Sequence, residues 1–336
     1  MSLIIPFFIH HRGCPHRCLF CNQRSIVGAD RDESDDPVTD LGRTIDRWLA
    51  RSGQRKNVQV AFYGGSFTCL DEGVQSKLLN KVAPYLKSGR VSSIRLSTRP
   101  DCLTTEIVEF LISAGVGTVE IGAQSMNDEV LRRAGRGHTA RHVKSAARLL
   151  IGAGIETGIQ LMAGLPGETT RSFMDGAREV VKLSPHLIRL YPTLVLEHTE
   201  LADLYRRSSW RPLGLERAVR LMPRARAVVD EHRIRDIRAG LQPTVELETP
   251  VLDGPYHPAF GELVNSRCWY RKIRPLLVRA GRDRVVRLTI GARDYSALAG
   301  QRSTNLRRLK NLAQGARLEV EIDASLERGH YRYRVS

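Results

Sequence analysis

The chain is poor in cysteine and in long apolar runs, and each shortage excludes something. Six cysteines among 336 residues are too few for a disulfide framework, so the sequence is expected to work in the reducing cytoplasm. The first apolar run, Leu3 to Ile9, is too short to cross a membrane, and no small-residue cleavage site follows it. It reads as a buried first strand, with no membrane partner. Acidic residues are also short: 36 Asp and Glu against 52 Lys and Arg leave a net charge of +16. Such a field suits a polyanion, nucleic acid above all. The 42% hydrophobic content is enough to bury a core and excludes global disorder.

Three of the six cysteines stand in one run, Gly13-Cys14-Pro15-His16-Arg17-Cys18-Leu19-Phe20-Cys21-Asn22. Three thiolates at this spacing can hold three corners of an iron–sulfur cube. With no fourth cysteine nearby, one iron would stay open to an outside ligand, unlike the four-cysteine electron carriers. A zinc knuckle is the bland alternative, with His10, His11 or His16 closing the site. Cys69, Cys102 and Cys268 are isolated and read as small buried hydrophobes, Cys268 beside Trp269 being the one to watch.

Up to about residue 195, short apolar strands alternate with amphipathic helices. Strands are expected at Ile4–His10, Val58–Tyr63, Ile94–Ser97, Thr118–Gly122, Gly158–Met162 and Leu187–Tyr191. Short loops and alternation imply parallel strands with right-handed crossovers. Pattern alone does not choose between an open sheet and a partial barrel, but ligands bind at the strands' carboxyl ends in both. The cysteine run lies at such an end, and Asp30–Asp36 reads as an exposed connection. Beyond residue 200 the helices Leu201–Tyr205 and Leu215–Asp230 carry many arginines. A Pro- and Gly-rich loop, Gln242–Pro258, leads into a helix at Ala259–Arg279. The tail yields strand Val285–Ile290, helix Asn305–Leu312 and strands Leu318–Ile322 and Tyr331–Val335. Glu246 and Glu248 alternate along an extended segment and are not read as an acid/base pair.

The cysteine run and the glycine turn in Phe62-Tyr63-Gly64-Gly65-Ser66-Phe67 resemble the signature of the radical S-adenosylmethionine (SAM) superfamily. The resemblance implies a partial six-unit (β/α) barrel, a [4Fe-4S] cluster on Cys14, Cys18 and Cys21, and SAM on the open iron. It also implies that Gly64, Gly65 and Ser66 contact the methionine end of SAM. Reduction would then split SAM to a 5′-deoxyadenosyl radical, with a reductant such as flavodoxin or ferredoxin. Ser97-Thr98-Arg99-Pro100-Asp101, Gly122-Ala123-Gln124-Ser125, Leu161–Gly167, Tyr191–Val195 and Gly254–Glu262 look like segments of the Elongator catalytic subunit family, which modifies the wobble uridine of transfer RNA. Two departures stand out. That family spaces its first two cysteines more widely. Residues 283–336 are too few for its acetyltransferase domain, so acetyl-CoA chemistry is not carried over.

The expected organisation is a barrel over 1–198, a helical extension over 199–282 and a small basic α+β unit over 283–336. Gln124 and Ser125 are placed to reach SAM or substrate. Arg99 and Asp101 are expected as an ion pair on the cavity rim. Tyr191, Tyr256 and His257 are hydrogen or proton donors by residue type alone. In Gly300–Lys310 a glycine-led loop opens a basic helix, so Arg302, Arg307, Arg308 and Lys310 are expected to meet RNA. The functional expectation is a radical SAM enzyme acting on transfer RNA or another structured RNA. A small acidic metabolite or porphyrin as substrate, and a non-enzymatic iron–sulfur RNA-binding protein, remain as alternatives.

Overall fold

A computed structural model describes residues 3–9, 13–22, 37–51, 53, 55–240, 249–281, 283–312 and 316–336. His10, His11, Asp30–Asp36, Glu246 and Glu248 lie outside the described residues. The chain divides into two compact units, Met1–Gly214 with Ala225–Tyr256, and Leu215–Arg224 with His257–Ser336.

The first unit is built on strands β1 (Leu3–Phe8), β2 (Val58–Tyr63), β3 (Ser93–Thr98), β4 (Val116–Gln124), β5 (Glu156–Ala163) and β6 (Leu187–Pro192). Helices α1 (Pro37–Ala50), α2 (Glu72–Lys87), α3 (Thr105–Ser113), α4 (Asp128–Arg133), α5 (Ala140–Gly152) and α6 (Thr170–Val181) separate them. All neighbouring strands are parallel. Their order follows the chain, β1-β2-β3-β4-β5-β6, and ends on a seventh strand, β8 (Arg235–Ala239). A doubly wound sheet reverses its order at a switch point. This one always steps the same way, as a barrel does, and the sheet curls into a half-barrel.

Local chemistry explains the elements. In β1 the pattern of burial alternates, with Leu3, Ile5 and Phe7 inward, as the two-residue period of a strand requires. Thr104 accepts the N–H of Ile107 and caps α3, and Gly115 follows that helix at φ +82°, a backbone that glycine adopts without strain. The helices bury Leu41 and Ile45, Leu78 and Val82, and Phe173 and Val180.

Strand β8 was not expected from the sequence. Arg235, Asp236 and Arg238 interrupt its apolar pattern, and only tertiary pairing rescues it. Asp236 forms an ion pair with Arg226 on helix α8 (Leu215–Glu231), and β6 supplies the ladder. Two short strands, β7 (Val195–Leu196) and β9 (Val251–Asp253), pair antiparallel, and α7 (Glu200–Arg206) follows β7. A second difference concerns Cys69 and Cys102, which form a disulfide instead of standing as separate thiols. Strands β2 and β3 are adjacent and parallel, and each runs into a 3₁₀ turn, Phe67–Cys69 and Pro100–Cys102. The turns lie side by side and bring the two Cα atoms to 5.4 Å, although the chain separates them by 33 residues.

The second unit carries helix α9 (Phe260–Ala280), strand β10 (Val285–Ile290), helix α10 (Tyr295–Ala299), helix α11 (Thr304–Leu312) and strands β11 (Arg317–Ile322) and β12 (Tyr331–Val335). Strand β10 is central, parallel to β11 and antiparallel to β12. Trp269, Ile273 and Leu277 of α9 pack on Val286, Leu288 and Ile290 of β10, with Leu298 and Leu309 completing the core. Among the described residues, no helix is long and apolar enough to cross a membrane.

Candidate active site

The cysteine loop follows β1 at the carboxyl edge of the parallel sheet and is clamped from three sides. Gly13 lies against the turn after β2: a Cβ on it would meet the Ser66 carbonyl oxygen at 2.3 Å. Gly135 and Gly137, at φ +65° and +69°, form a second cradle. A Cβ on the first would fall 2.9 Å from the Arg17 carbonyl, and one on the second 2.2 Å from the His16 ring. The third clamp is the region after β7, where Asn22 donates to the Glu197 carbonyl at 2.7 Å and Leu201 N–H to that of Leu19 at 2.9 Å. Phe20 anchors the loop by packing on Val130, Ala134 and Leu165.

Within this frame Cys14 is exposed, while Cys18 and Cys21 are half-buried. Although Cys14 reaches solvent, partial desolvation by the surrounding protein, then the neighbouring Cys18, push its thiol up, and Arg99 and Arg136 oppose them. Arg136 belongs to none of the motifs read from the sequence, yet it meets the cysteine loop. Its Nη1 donates to Cys18 Sγ at 3.0 Å and its Nη2 to the Gly122 carbonyl at 2.5 Å. Arg99 in turn donates to the Arg136 carbonyl at 2.6 Å and holds Asp101 through two bonds of 2.8 and 3.0 Å, so the expected Arg99–Asp101 pair is present. His138 is buried beside them, and its pKa falls to about 3, first through burial and then through Arg136 and Arg99. It is therefore neutral and donates from Nε2 to the Ala123 carbonyl. Only the two glycines flanking Arg136 marked this turn in the sequence. Among the described residues no three His, Cys, Asp or Glu side chains close around one ion. Three cysteine thiols gathered in one loop, with the Arg136 guanidinium on one of them, are a donor set that suits an iron–sulfur cluster.

The turn after β2 holds Gly64 at φ +88°, a backbone that glycine adopts without strain. The Ser66 hydroxyl is occupied within the protein: it lies 3.0 Å from Thr98 Oγ1 and 2.9 Å from Cys69 Sγ, and accepts the Arg99 N–H at 3.1 Å. Gln124 takes a left-handed backbone, φ +68°, where β4 bulges, and its Oε1 is buried with no hydrogen-bond partner among the described residues. Strained, under-satisfied residues mark functional sites. Ser125 instead donates to Glu168 at 3.2 Å. Glu168 also accepts the Gly164 N–H at 2.8 Å, and burial pushes its pKa up to about 8.

The concave face of the half-barrel is charged, where strands of a parallel sheet are usually apolar. Glu120 is fully buried and receives Arg95 at 2.8 Å, Arg189 at 2.5 Å and Gln160 at 3.0 Å. Arg189 reaches the hydroxyls of Tyr63 at 3.3 Å and Tyr191 at 3.5 Å. Burial, then Glu120, hold the Tyr63 phenol above its ordinary pKa. Tyr191 thus belongs to this layer. Tyr256, like Val251, packs on Leu194 and Leu196. His257 Nδ1 accepts the Ala259 N–H at 3.0 Å, just ahead of α9. Arg302, in the turn between α10 and α11, and Arg307, Arg308 and Lys310, on α11, are all exposed, in the second unit.

Comparison with known proteins adds a family to this geometry. The profile of the Radical SAM superfamily matches residues 8–180, and that of the Radical_SAM C-terminal domain residues 185–270. The chain is 26% identical over 290 residues to a tRNA uridine(34) acetyltransferase of Methanocaldococcus jannaschii, covering 75% of this chain and 52% of that protein. It is 28% identical over 203 residues to the heme chaperone HemW of Haemophilus influenzae, covering 59% and 52%. The chain thus spans about half the length of these curated relatives. Among solved structures it resembles archaeal Methanocaldococcus infernus Elp3 lacking its N-terminus, with a TM-score of 0.64 over 82% of this chain and 63% of that one. At 20% identity this likeness is one of fold.

Proposed function

This chain belongs to the radical SAM superfamily, and we propose that it is an enzyme of that superfamily acting on RNA, transfer RNA first. Its cofactors are those of the superfamily, a [4Fe-4S] cluster and SAM. The observation that carries the reading is the clamped loop of Cys14, Cys18 and Cys21 at the sheet's carboxyl edge, with the Arg136 guanidinium on Cys18 Sγ.

In this proposal the three thiolates hold the cluster. When bound there, the cluster and SAM would supply one-electron chemistry able to take a hydrogen atom from substrate. Arg136 offsets the thiolates' negative charge. The Gly64–Ser66 backbone receives the methionine end, and Ser66 keeps that turn rigid through Thr98 and Arg99. Gln124 offers an unused buried acceptor, whereas Ser125 acts indirectly by holding Glu168. The Tyr63–Arg189–Tyr191 layer faces the lumen as the substrate's floor, with Tyr191 the donor nearest to it. Tyr256 and His257 stabilise their own segments. Arg302, Arg307, Arg308 and Lys310 meet the RNA. A one-electron protein such as flavodoxin or ferredoxin supplies the reductant.

The likeness to the tRNA uridine(34) acetyltransferase supports RNA as substrate. The matches to HemW favour a second reading, in which the chain handles heme or a porphyrin. Anaerobic assays separate the readings. Reconstituted protein with dithionite is expected to form 5′-deoxyadenosine, and Gly65→Val is expected to retain iron yet lose SAM binding, because its Cβ invades the backbone approach. Nucleoside mass spectrometry of a deletion strain is expected to reveal a missing transfer-RNA modification. Unchanged nucleosides together with stoichiometric heme binding would decide for the second reading.

A further inference from the structure

Charge is unevenly shared between the two units. Leu215–Arg224 and His257–Ser336 contain 20 Lys and Arg against 8 Asp and Glu, a net of +12 out of the chain's +16. The acids of this unit are also unevenly placed. On the outer face of the sheet Glu319 pairs with Arg287 and Arg317, and Asp323 with Arg332. On the helical side, among the described residues, Arg267, Arg271 and Arg308 have no carboxylate partner, and Arg220 has only its helix neighbour Glu216.

These helical arginines are gathered in one place. Arg267 and Arg271 lie one turn apart on α9. The α9 and α11 helices are locked together where Asn305 Nδ2 donates to the Ser266 carbonyl at 2.6 Å and to its hydroxyl at 2.7 Å. Gly300 presses on the same serine: a Cβ there would stand 2.8 Å from Ser266 Oγ. Arg308, on α11, therefore adjoins the Arg267 face. Arg267 itself is half-buried, its guanidinium 4.8 Å over the Tyr270 ring. Burial lowers its pKa most; Tyr270 opposes this, and Arg220, Arg308 and Arg271 lower it further. The fold has crowded like charges around a half-buried guanidinium, while Glu319 and Asp323 pair with arginines of the sheet, which leaves the patch ready for an external polyanion.

We infer that Arg220, Arg267, Arg271 and Arg308 form a binding face for the phosphodiester backbone of a folded RNA, continued by the exposed Gly300–Ser303 turn. This rests on the RNA reading proposed above and extends its contacts from the turn to α8 and α9. Phosphates suit the face better than a membrane does. The apolar side chains of α9, Trp269, Ile273 and Leu277, are buried in the unit's own core, which leaves few apolar groups to insert into lipid.

The test is a filter-binding titration of the full chain with an unmodified transfer-RNA transcript across a salt series. Arg267→Gln/Arg271→Gln/Arg308→Gln is compared with Arg287→Gln/Arg317→Gln/Arg332→Gln, which removes equal charge from the sheet face. The helical triple is expected to weaken binding at least about tenfold and to flatten the salt slope by roughly two to three, since each lost phosphate contact removes about one. The sheet triple should stay within about threefold, the loss expected of a diffuse field alone. Should the helical triple melt early, the exposed pair Arg271→Gln/Arg308→Gln decides, with a slope change of about two. Equal losses in both triples, or none in the helical one, overturn the inference. So does binding to vesicles of phosphatidylcholine and phosphatidylglycerol without binding to RNA. The titration needs neither SAM nor reductant. RNA binding without RNA modification would therefore sink the enzymatic reading and keep this face. Modification with unaltered affinity in the helical triple would do the reverse.

Discussion

The residue that most changes the picture of the site is Arg136. A guanidinium donating to the Cys18 sulfur at 3.0 Å stabilises negative charge there, and would favour the reduced form of a cluster held by that sulfur. Cys18→Ala is expected to lose most of the roughly four irons per chain that anaerobic reconstitution loads. Arg136→Gln is expected to keep its iron and to shift the reduction potential to more negative values by some tens of millivolts, read by electron paramagnetic resonance during a redox titration. Arg136→Lys should recover part of that shift. A potential indifferent to both substitutions would remove Arg136 from this role.

At the scale of elements, the turn after β5 is held by a carboxyl that resists ionisation. Glu168 ties Gly164 to Ser125 and so joins the β4 and β5 ends that flank the site. Burial raises its pKa from 4.5 to about 8. The folded chain then keeps a proton that the unfolded chain releases, so unfolding is favoured as pH rises. Stability is expected to fall between about pH 4.5 and pH 8 and to level off above. Urea unfolding of wild type against Glu168→Gln, which cannot ionise, should differ in pH slope across that window. Parallel slopes would show that Glu168 is ionised in the folded protein.

Across the whole first unit, Glu120 links four strands of the half-barrel: β4, its own, β3 through Arg95, β5 through Gln160 and β6 through Arg189. Buried ion networks are costly to break from one side, because the partners left behind stay buried and charged. Glu120→Gln is expected to cost about 3–5 kcal/mol, seen as a lowered urea midpoint, and to loosen the Tyr63 and Tyr191 floor. A loss below about 1 kcal/mol, the range of exposed pairs, would mean that water enters the lumen and screens the network.

The chain alone determined what depends on neighbours in sequence. The two-residue period of β1 and β2, the capped helix at Thr105–Ser113, the cysteine spacing and the glycine turn are local patterns, and the expected strands of both units fall where the structure has them. Tertiary structure decided whatever depends on residues far apart in the chain. Strand order separated the half-barrel from an open sheet, and β8 exists because β6 and Arg226 satisfy a segment whose own pattern is broken by charge. Cys69 meets Cys102, Arg136 meets Cys18 across 118 positions, and Arg267 gathers arginines from α8 and α11. Hydrogen bonds and ion pairs of this kind act over a few ångströms, and no periodicity records which distant segments the fold will bring within that range.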